Sequence, residues 1–255
     1  IAGYDPGAAH TAASVGHIPE TYTSFLNKDG LQNKRLGVLT NLLVVDPEDE
    51  EVAAIIRSAL QSIKIAGAEV VDVHIPSLNE LMHDDFGGMY SILADIRTDI
   101  NAYLKAHPTV PVASVADILK SDLLKDPELR RNFQTAMDFE PGPTQEYLSL
   151  HAKRKTIKQA VLVAMAEAEV DSLIYPTLRR KPVRIGEEQF GTNCHLTGHT
   201  GFPAITVPAG FSEDGLPIGI EFMAREWQEP LLIELAYAFE QATRHRRLPL
   251  TTPEL

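Results

Sequence analysis

Cysteine is nearly absent from this 255-residue sequence. Cys194 stands alone, so no internal disulfide can form, and the chain leans toward a reducing compartment. Positive charge is scarce too. Lys and Arg number 23 against 35 Asp and Glu, the formal net charge is -12, and the longest charged run, Glu48 to Glu51, is acidic. A nucleic-acid backbone is thereby excluded as a main partner. Long apolar runs are also missing, since charged residues interrupt each one before the roughly 20 residues that a membrane helix needs. The expectation is a soluble, cytoplasmic protein without membrane contact. No signal peptide is visible, no cofactor motif stands out, and there is no internal repeat or low-complexity tract.

What is present is an alternation of strand and helix patterns. Leu36 to Val45 is apolar and β-branched enough for a buried strand. A helix start follows, with Asp46 as cap, Pro47 at the first helical position and Asp49 three residues past the cap. Val52, Ile55, Ile56, Ala59, Leu60 and Ile63 form one apolar stripe at helical spacing, and Gly67 suits the left-handed C-terminal cap. Val70, Val71, Val73 and Ile75 give a second strand. This strand, helix, strand unit predicts parallel strands. Leu78 to His107 reads as helix broken near Gly87-Gly88, with shorter helices over Val115 to Leu119 and Pro127 to Met137. A long helix is expected from Thr144, with Tyr147, His151, Arg154, Ile157, Val161, Ala164 and Ala168 on one face. Ser172 to Tyr175 is a short strand. Ala204 to Val207, bracketed by Pro203 and Pro208, and Pro217 to Met223 are two more. A final helix begins near Pro230 and ends in the basic cluster Arg244 to Arg247. Between them, Thr177 to Phe202 is polar and aperiodic, and long for a connection between core elements.

Three blocks carry a family resemblance. The opening Ile-Ala-Gly-Tyr-Asp-Pro is one. The second is Thr200-Gly201-Phe202-Pro203-Ala204-Ile205-Thr206-Val207-Pro208-Ala209-Gly210-Phe211, followed by Gly215 to Met223, and the third is Glu229 to Arg247. Together they resemble the amidase signature family, with the opening block similar to the place where that family's signature region ends. Asp99-Ile100-Asn101-Ala102-Tyr103-Leu104 and Asn193-Cys194-His195-Leu196 resemble its peptide amidase-like branch. The resemblance implies an α/β fold with a mixed β-sheet flanked by helices. It also implies amide C–N hydrolysis by a serine whose proton passes through a second, cis-peptide serine to a lysine. No Ser-Ser pair and no Gly-flanked serine occurs here. Lys28-Asp29-Gly30 superficially resembles the lysine motif, but no serine loop follows it. The expectation is therefore the C-terminal portion of an amidohydrolase, a single domain over 1–255 with 1–34 irregular and poorly ordered, inactive by itself, with no catalytic residue of its own.

Other chemistry must be weighed beside that reading. His195 and His199 at a spacing of four could share a helix face as metal ligands, and Cys194 could serve as a nucleophile. Position 196 is Leu where a zinc protease would carry Glu, Gly198 weakens a helix, and spacing indicates no third ligand, so no metal is expected. A small thiol beside partly exposed imidazoles in a loop is the simpler reading. Asn193, Cys194, His195, Leu196 and Thr197 are candidates to line a substrate pocket, with Arg154 on the long helix and Arg179 and Arg180 after Pro176 as further ones. The partners expected are the N-terminal half of the parent amidase and a small-molecule or peptide amide, with self-association possible through apolar surface left uncovered. The alternatives are a non-catalytic scaffold subunit paired with a separate catalytic chain, or a metal-dependent hydrolase using His195 and His199.

Overall fold

A computed structural model describes residues 2–83, 86–139 and 144–249. The chain forms two compact units: Ile1–Pro76 with Ala160–Leu255, and Ser77–Gln159. The first contains a five-stranded sheet made of β1 (Arg35–Leu39), β2 (Glu69–Val73), β3 (Ser172–Pro176), β4 (Ala204–Phe211) and β5 (Pro217–Met223). The strand order is β2-β1-β3-β5-β4. β1 lies parallel to β2 and β3, whereas β5 lies antiparallel to β3 and β4. The fold is α/β with a mixed sheet, and β1 and β2 are parallel as their flanking pattern implies.

β1 is shorter than its apolar run. After Leu39 the chain turns through a 3-10 segment, Thr40–Leu42, and Val44 and Val45 are exposed. Buried Asn41 explains the departure, because its side chain donates to the Ile75 carbonyl (3.0 Å) and accepts from the Ile75 N–H (2.8 Å), satisfying the main chain beyond β2 instead of continuing a ladder. Pro47–Asp49 forms a 3-10 turn that leads into α1 (Glu50–Ile65). The Asp49 carboxylate accepts from the N–H groups of Val45 and Asp46 at 3.0 and 3.1 Å, which is the reach-back half of a capping box. The α1 stripe Val52, Ile56, Ala59 and Ile63 packs with Leu36, Val38, Ile174, Ile220 and Phe222 from one face of the sheet. α8 (Glu229–Thr243) adds Leu232, Leu235 and Phe239 to the same core and closes at Arg244 in the left-handed region, φ 49°.

Residues 2–34 are irregular apart from 3-10 turns at Ala9–Ser14 and Tyr22–Phe25. Their latter part is tied to α8. Asn27 donates to Glu234 Oε1 (3.0 Å), Lys34 pairs with Glu234 Oε2 (3.3 Å), and Leu31 is buried in the core.

The second unit is helical: α2 (Leu78–His83), α3 (Phe86–Ala106), α4 (Val115–Lys120), α5 (Pro127–Asp138) and the first part of α6 (Gln145–Glu167). α2 ends at His83, and Gly87 and Gly88 lie within α3; residues 84–85 between the two helices lie outside the described residues. Caps set the boundaries. Ser114 accepts from the Asp117 N–H (3.1 Å), Asp126 from Leu129 (2.7 Å) with Pro127 at the first helical position, and Thr144 from Tyr147 (3.2 Å). Asn101 Oδ1 accepts from the Val115 N–H (2.8 Å) and fastens α4 to α3. On α6 the buried positions are Ile157, Val161 and Met165, a spacing of four.

Candidate functional site

The aperiodic segment after β3 is held by a charged network. Asp49 is completely buried. Its Oδ2 accepts from Arg179 Nε (3.1 Å) and its Oδ1 from Arg180 Nε (3.0 Å), while Arg180 Nη2 also reaches Asp46 (2.8 Å). Burial pushes the Asp49 carboxyl upward, but the Val45 and Asp46 N–H donors and the two guanidiniums outweigh it and hold the group below its ordinary value. Arg179 continues to Asn193, donating to its Oδ1 at 2.6 Å. The Asn193 amide then donates to the carbonyls of Pro176 (2.7 Å) and Leu42 (3.0 Å). Asn193 thus ties the loop to the end of β3 and to the 3-10 turn after β1, with all three of these bonds buried or partly buried.

Asn193 is followed by a six-residue helix, α7 (His195–Thr200), at whose N-terminus sits Cys194. A helix therefore forms despite Gly198, ending at Gly201 in the left-handed region, φ 68°. Thr197 and Thr200 donate to Cys194 and Leu196 carbonyls, which supports the short turn. Leu196 is buried, Cys194 and His195 are exposed, and Thr197 is half-buried. Thr192 lies 3.1 Å from the Cys194 sulfur. Among the described residues no group of three or more His, Cys, Asp or Glu could hold a metal ion. Arg154 belongs to the helical unit, on the α6 stretch that carries Tyr147, whose hydroxyl lies 3.4 Å from Asp95.

The sheet has two unlike faces. Ile218, Ile220 and Phe222 of β5 enter the core under α1 and α8, and the alternate residues Gly219, Glu221 and Met223 point to the opposite face. There, Tyr175, Glu221 and Thr206 stand in register on β3, β5 and β4. The Tyr175 hydroxyl donates to Glu221 Oε1 at 2.9 Å. Tyr175 is completely buried and Glu221 is 7% exposed. Burial, then the adjacent Glu221 charge, drives the Tyr175 phenol well above its ordinary value. Burial also raises Glu221, and the bond from Tyr175 only partly offsets it. Next in the row, Thr206 Oγ1 is 2.6 Å from Thr177 Oγ1, in space that exists because residue 219 is glycine: a Cβ there would stand 2.8 and 2.9 Å from the two hydroxyls.

This polar row borders two concavities. One, of about 500 Å³, is lined by Glu221, Thr206, Ala204, Phe202, Gly201, Gly198 and Thr197. The other, of about 290 Å³, lies beyond Thr206 and Thr177 toward Pro182, Pro208 and Ile218. Of the residues that the sequence nominates, Thr197 lines the larger concavity, Arg180 lines the smaller one while also bonded to Asp49, Arg179 is bonded to Asp49 and Asn193, and Asn193 anchors the α7 segment from below. Tyr175, Thr206 and Glu221 are not among them. The available signal was Glu221 itself, an acidic residue inside the alternation Ile218, Ile220, Phe222, where an ordinary buried strand would place an apolar one.

Comparison with known proteins gives a family match described as Amidase over residues 1–233. The chain belongs to the amidase signature family. A probable amidase of Arabidopsis thaliana is 28% identical over 98% of this chain and 46% of its own length. An amidase of Pseudomonas putida is 29% identical over 98% of this chain and 51% of its own. Native peptide amidase from Stenotrophomonas maltophilia superposes with a TM-score of 0.78 at 27% identity, over 97% of this chain and 50% of that one. This likeness supports the peptide amidase-like branch of the family. The chain spans about half the length of the curated relatives it matches.

Proposed function

We propose that this chain forms part of an amidohydrolase that cleaves amide C–N bonds, supplying sheet and one wall of a substrate pocket but not the catalytic serines and lysine. The observation that carries the reading is the amidase match over residues 1–233, in a sequence with no Ser-Ser pair and no Gly-flanked serine. Acyl transfer to a serine needs a nucleophile within hydrogen-bond reach of a base, together with preorganised donors at the carbonyl oxygen. The polar row on the open sheet face offers a phenol and a carboxyl paired with each other. These residues hold no Ser-Ser pair for either to activate, and the row is read as a binding surface. The substrate reading follows the peptide amidase likeness: a small-molecule or peptide amide.

The test is an assay with an anilide and a peptide amide, on the purified chain and on the chain combined with the upstream coding region. The expected result is no turnover above background for the chain alone and turnover for the combination. Hydrolysis by the chain alone that is lost on Cys194→Ala would place the nucleophile in these 255 residues and overturn the proposal.

A further inference from the structure

The 500 Å³ concavity between α7, β4 and β5 is in the size range of small-molecule sites and has one charged group in its lining. Glu221 is only 7% exposed, yet just its Oε1 is engaged, by the Tyr175 hydroxyl. A carboxylate held this far from water is costly unless it is both hydrogen-bonded and paired with a positive charge. Tyr175 supplies the first condition. Among the described residues no ion pair to Glu221 is found, so the second is left for whatever enters the concavity. The surroundings narrow the choice. Thr206 faces Glu221 directly across the β4–β5 ladder, and its hydroxyl can accept from a second N–H while it shares a proton with Thr177. Phe202 and Ala204 add apolar lining to the same hollow.

We infer that this concavity is a binding site for a small organic primary amine, whose ammonium pairs with Glu221 and whose apolar body lies along Phe202. Recognition is by one ion pair reinforced from behind by Tyr175, with Thr206 as a second acceptor. The inference rests on the reading of this polar row as a wall of the substrate pocket and names the chemistry that the wall would hold; amine binding is read without turnover, so the two can fail separately. Tyr175 touches the ligand only through Glu221 and is a positioning residue. Its hydroxyl keeps the carboxyl oriented and favours the ionised form that an ammonium needs.

The test is titration of the protein with benzylamine, benzyl alcohol and phenylacetate, followed by NMR shifts of the Glu221 and Thr206 amides. These probes share an aromatic body and differ in the charge of the head group. Benzylamine is expected to bind saturably at these residues, at least about tenfold more tightly than benzyl alcohol, with phenylacetate weaker still. Glu221→Gln, which keeps an acceptor for Tyr175, is expected to abolish the preference for the amine over the alcohol in a protein whose melting temperature is no lower than that of the parent. Equal binding of amine and alcohol, shifts confined to another surface, no saturable binding, or an unchanged preference in a folded Glu221→Gln protein would each overturn the inference. Should that variant not fold, the head-group comparison on the parent protein still decides.

Discussion

Asp49 and Glu221 are both acidic and both buried, and their surroundings push them in opposite directions. Asp49 receives two backbone N–H donors and two guanidiniums, which outweigh burial and favour its charged form in the fold; at Glu221 burial favours the neutral form, and the one phenol donor only partly offsets it. The linkage signs follow. Because the folded Asp49 carboxyl lies below its ordinary 3.8, the stability it adds is present above that value and is lost as pH falls through the folded one. Because the folded Glu221 carboxyl lies above its ordinary 4.5, its contribution is present below that value and is lost as pH rises through the folded one. Glu221→Gln is accordingly expected to flatten the loss of stability above pH 4.5, read as urea midpoints across a pH series. Tyr175→Phe removes the one bond that opposes the shift and is expected to raise the Glu221 carboxyl further, measured by a side-chain carboxyl NMR titration. Asp49→Asn strands two partly buried guanidiniums and is expected to destabilise by about 3 kcal/mol, the scale for breaking a buried pair by removing one partner. Asp46, with a side chain 50% exposed, is the control: Asp46→Asn is expected to cost less than about 1 kcal/mol by the same denaturation measurement.

At the scale of elements, the segment around α7 is held by its flanks. A six-residue helix containing Gly198 has little intrinsic stability. It is fixed by Asn193 beneath its start, Leu196 in the interior and the left-handed Gly201 at its end. Asn193→Ala would free two main-chain carbonyls and the Arg179 contact, and is expected to cost about 3 kcal/mol from the loss of partners by buried polar groups. His195→Ala, on the exposed side of the same turn, is expected to stay within about 0.5 kcal/mol. Equal effects in thermal melts would count against the clamp. β4 shows a second departure from the sequence pattern. Pro203 and Pro208 bracket a four-residue apolar run, yet β4 continues through Pro208 to Phe211 with a register shift between Pro208 and Gly210. The reason is position: β4 ends the order β2-β1-β3-β5-β4, and an edge strand tolerates a proline and a bulge. At Gly219, the added methyl of Gly219→Ala would meet both threonine hydroxyls. The variant is expected to lose about 1–3 kcal/mol, the usual range for overpacking, as seen by its melting temperature.

For the whole molecule, the consequence lies at that edge. β4 pairs with β5 on one side and, among the described residues, with no strand on the other, while Ala204 and Thr206 are exposed on its open face. An unpaired edge beside an incompletely covered face favours association. In sedimentation, the chain is expected to self-associate with rising concentration, or to form a complex with the N-terminal half of a full-length amidase relative when that is supplied. A monomer at all concentrations that ignores that N-terminal half would show the edge to be self-sufficient. The amidase match on one side and the half-length coverage of relatives on the other frame this expectation without fixing the partner.

The sequence by itself determined the elements and their class. The 3.6-residue stripe of α1, the caps at Ser114, Asp126 and Thr144, the apolar cores of β1, β2, β3 and β5, and the Gly-Phe-Pro block that marks the family are all local patterns, and local patterns survive in one dimension. The absence of a Ser-Ser pair from these residues likewise needs no coordinates to be seen. Tertiary structure alone decided what each polar residue is for. Asn193, nominated for a pocket, is spent on carbonyls 17 and 151 residues away in sequence. Arg179 and Arg180 are drawn to an aspartate 130 and 131 residues earlier, at the start of α1. Glu221 acquires a role only because antiparallel pairing sets it between Tyr175 and Thr206. Each depends on strand register and on which face a helix covers, and these are fixed by burial and pairing between distant segments, which no local window of residues contains.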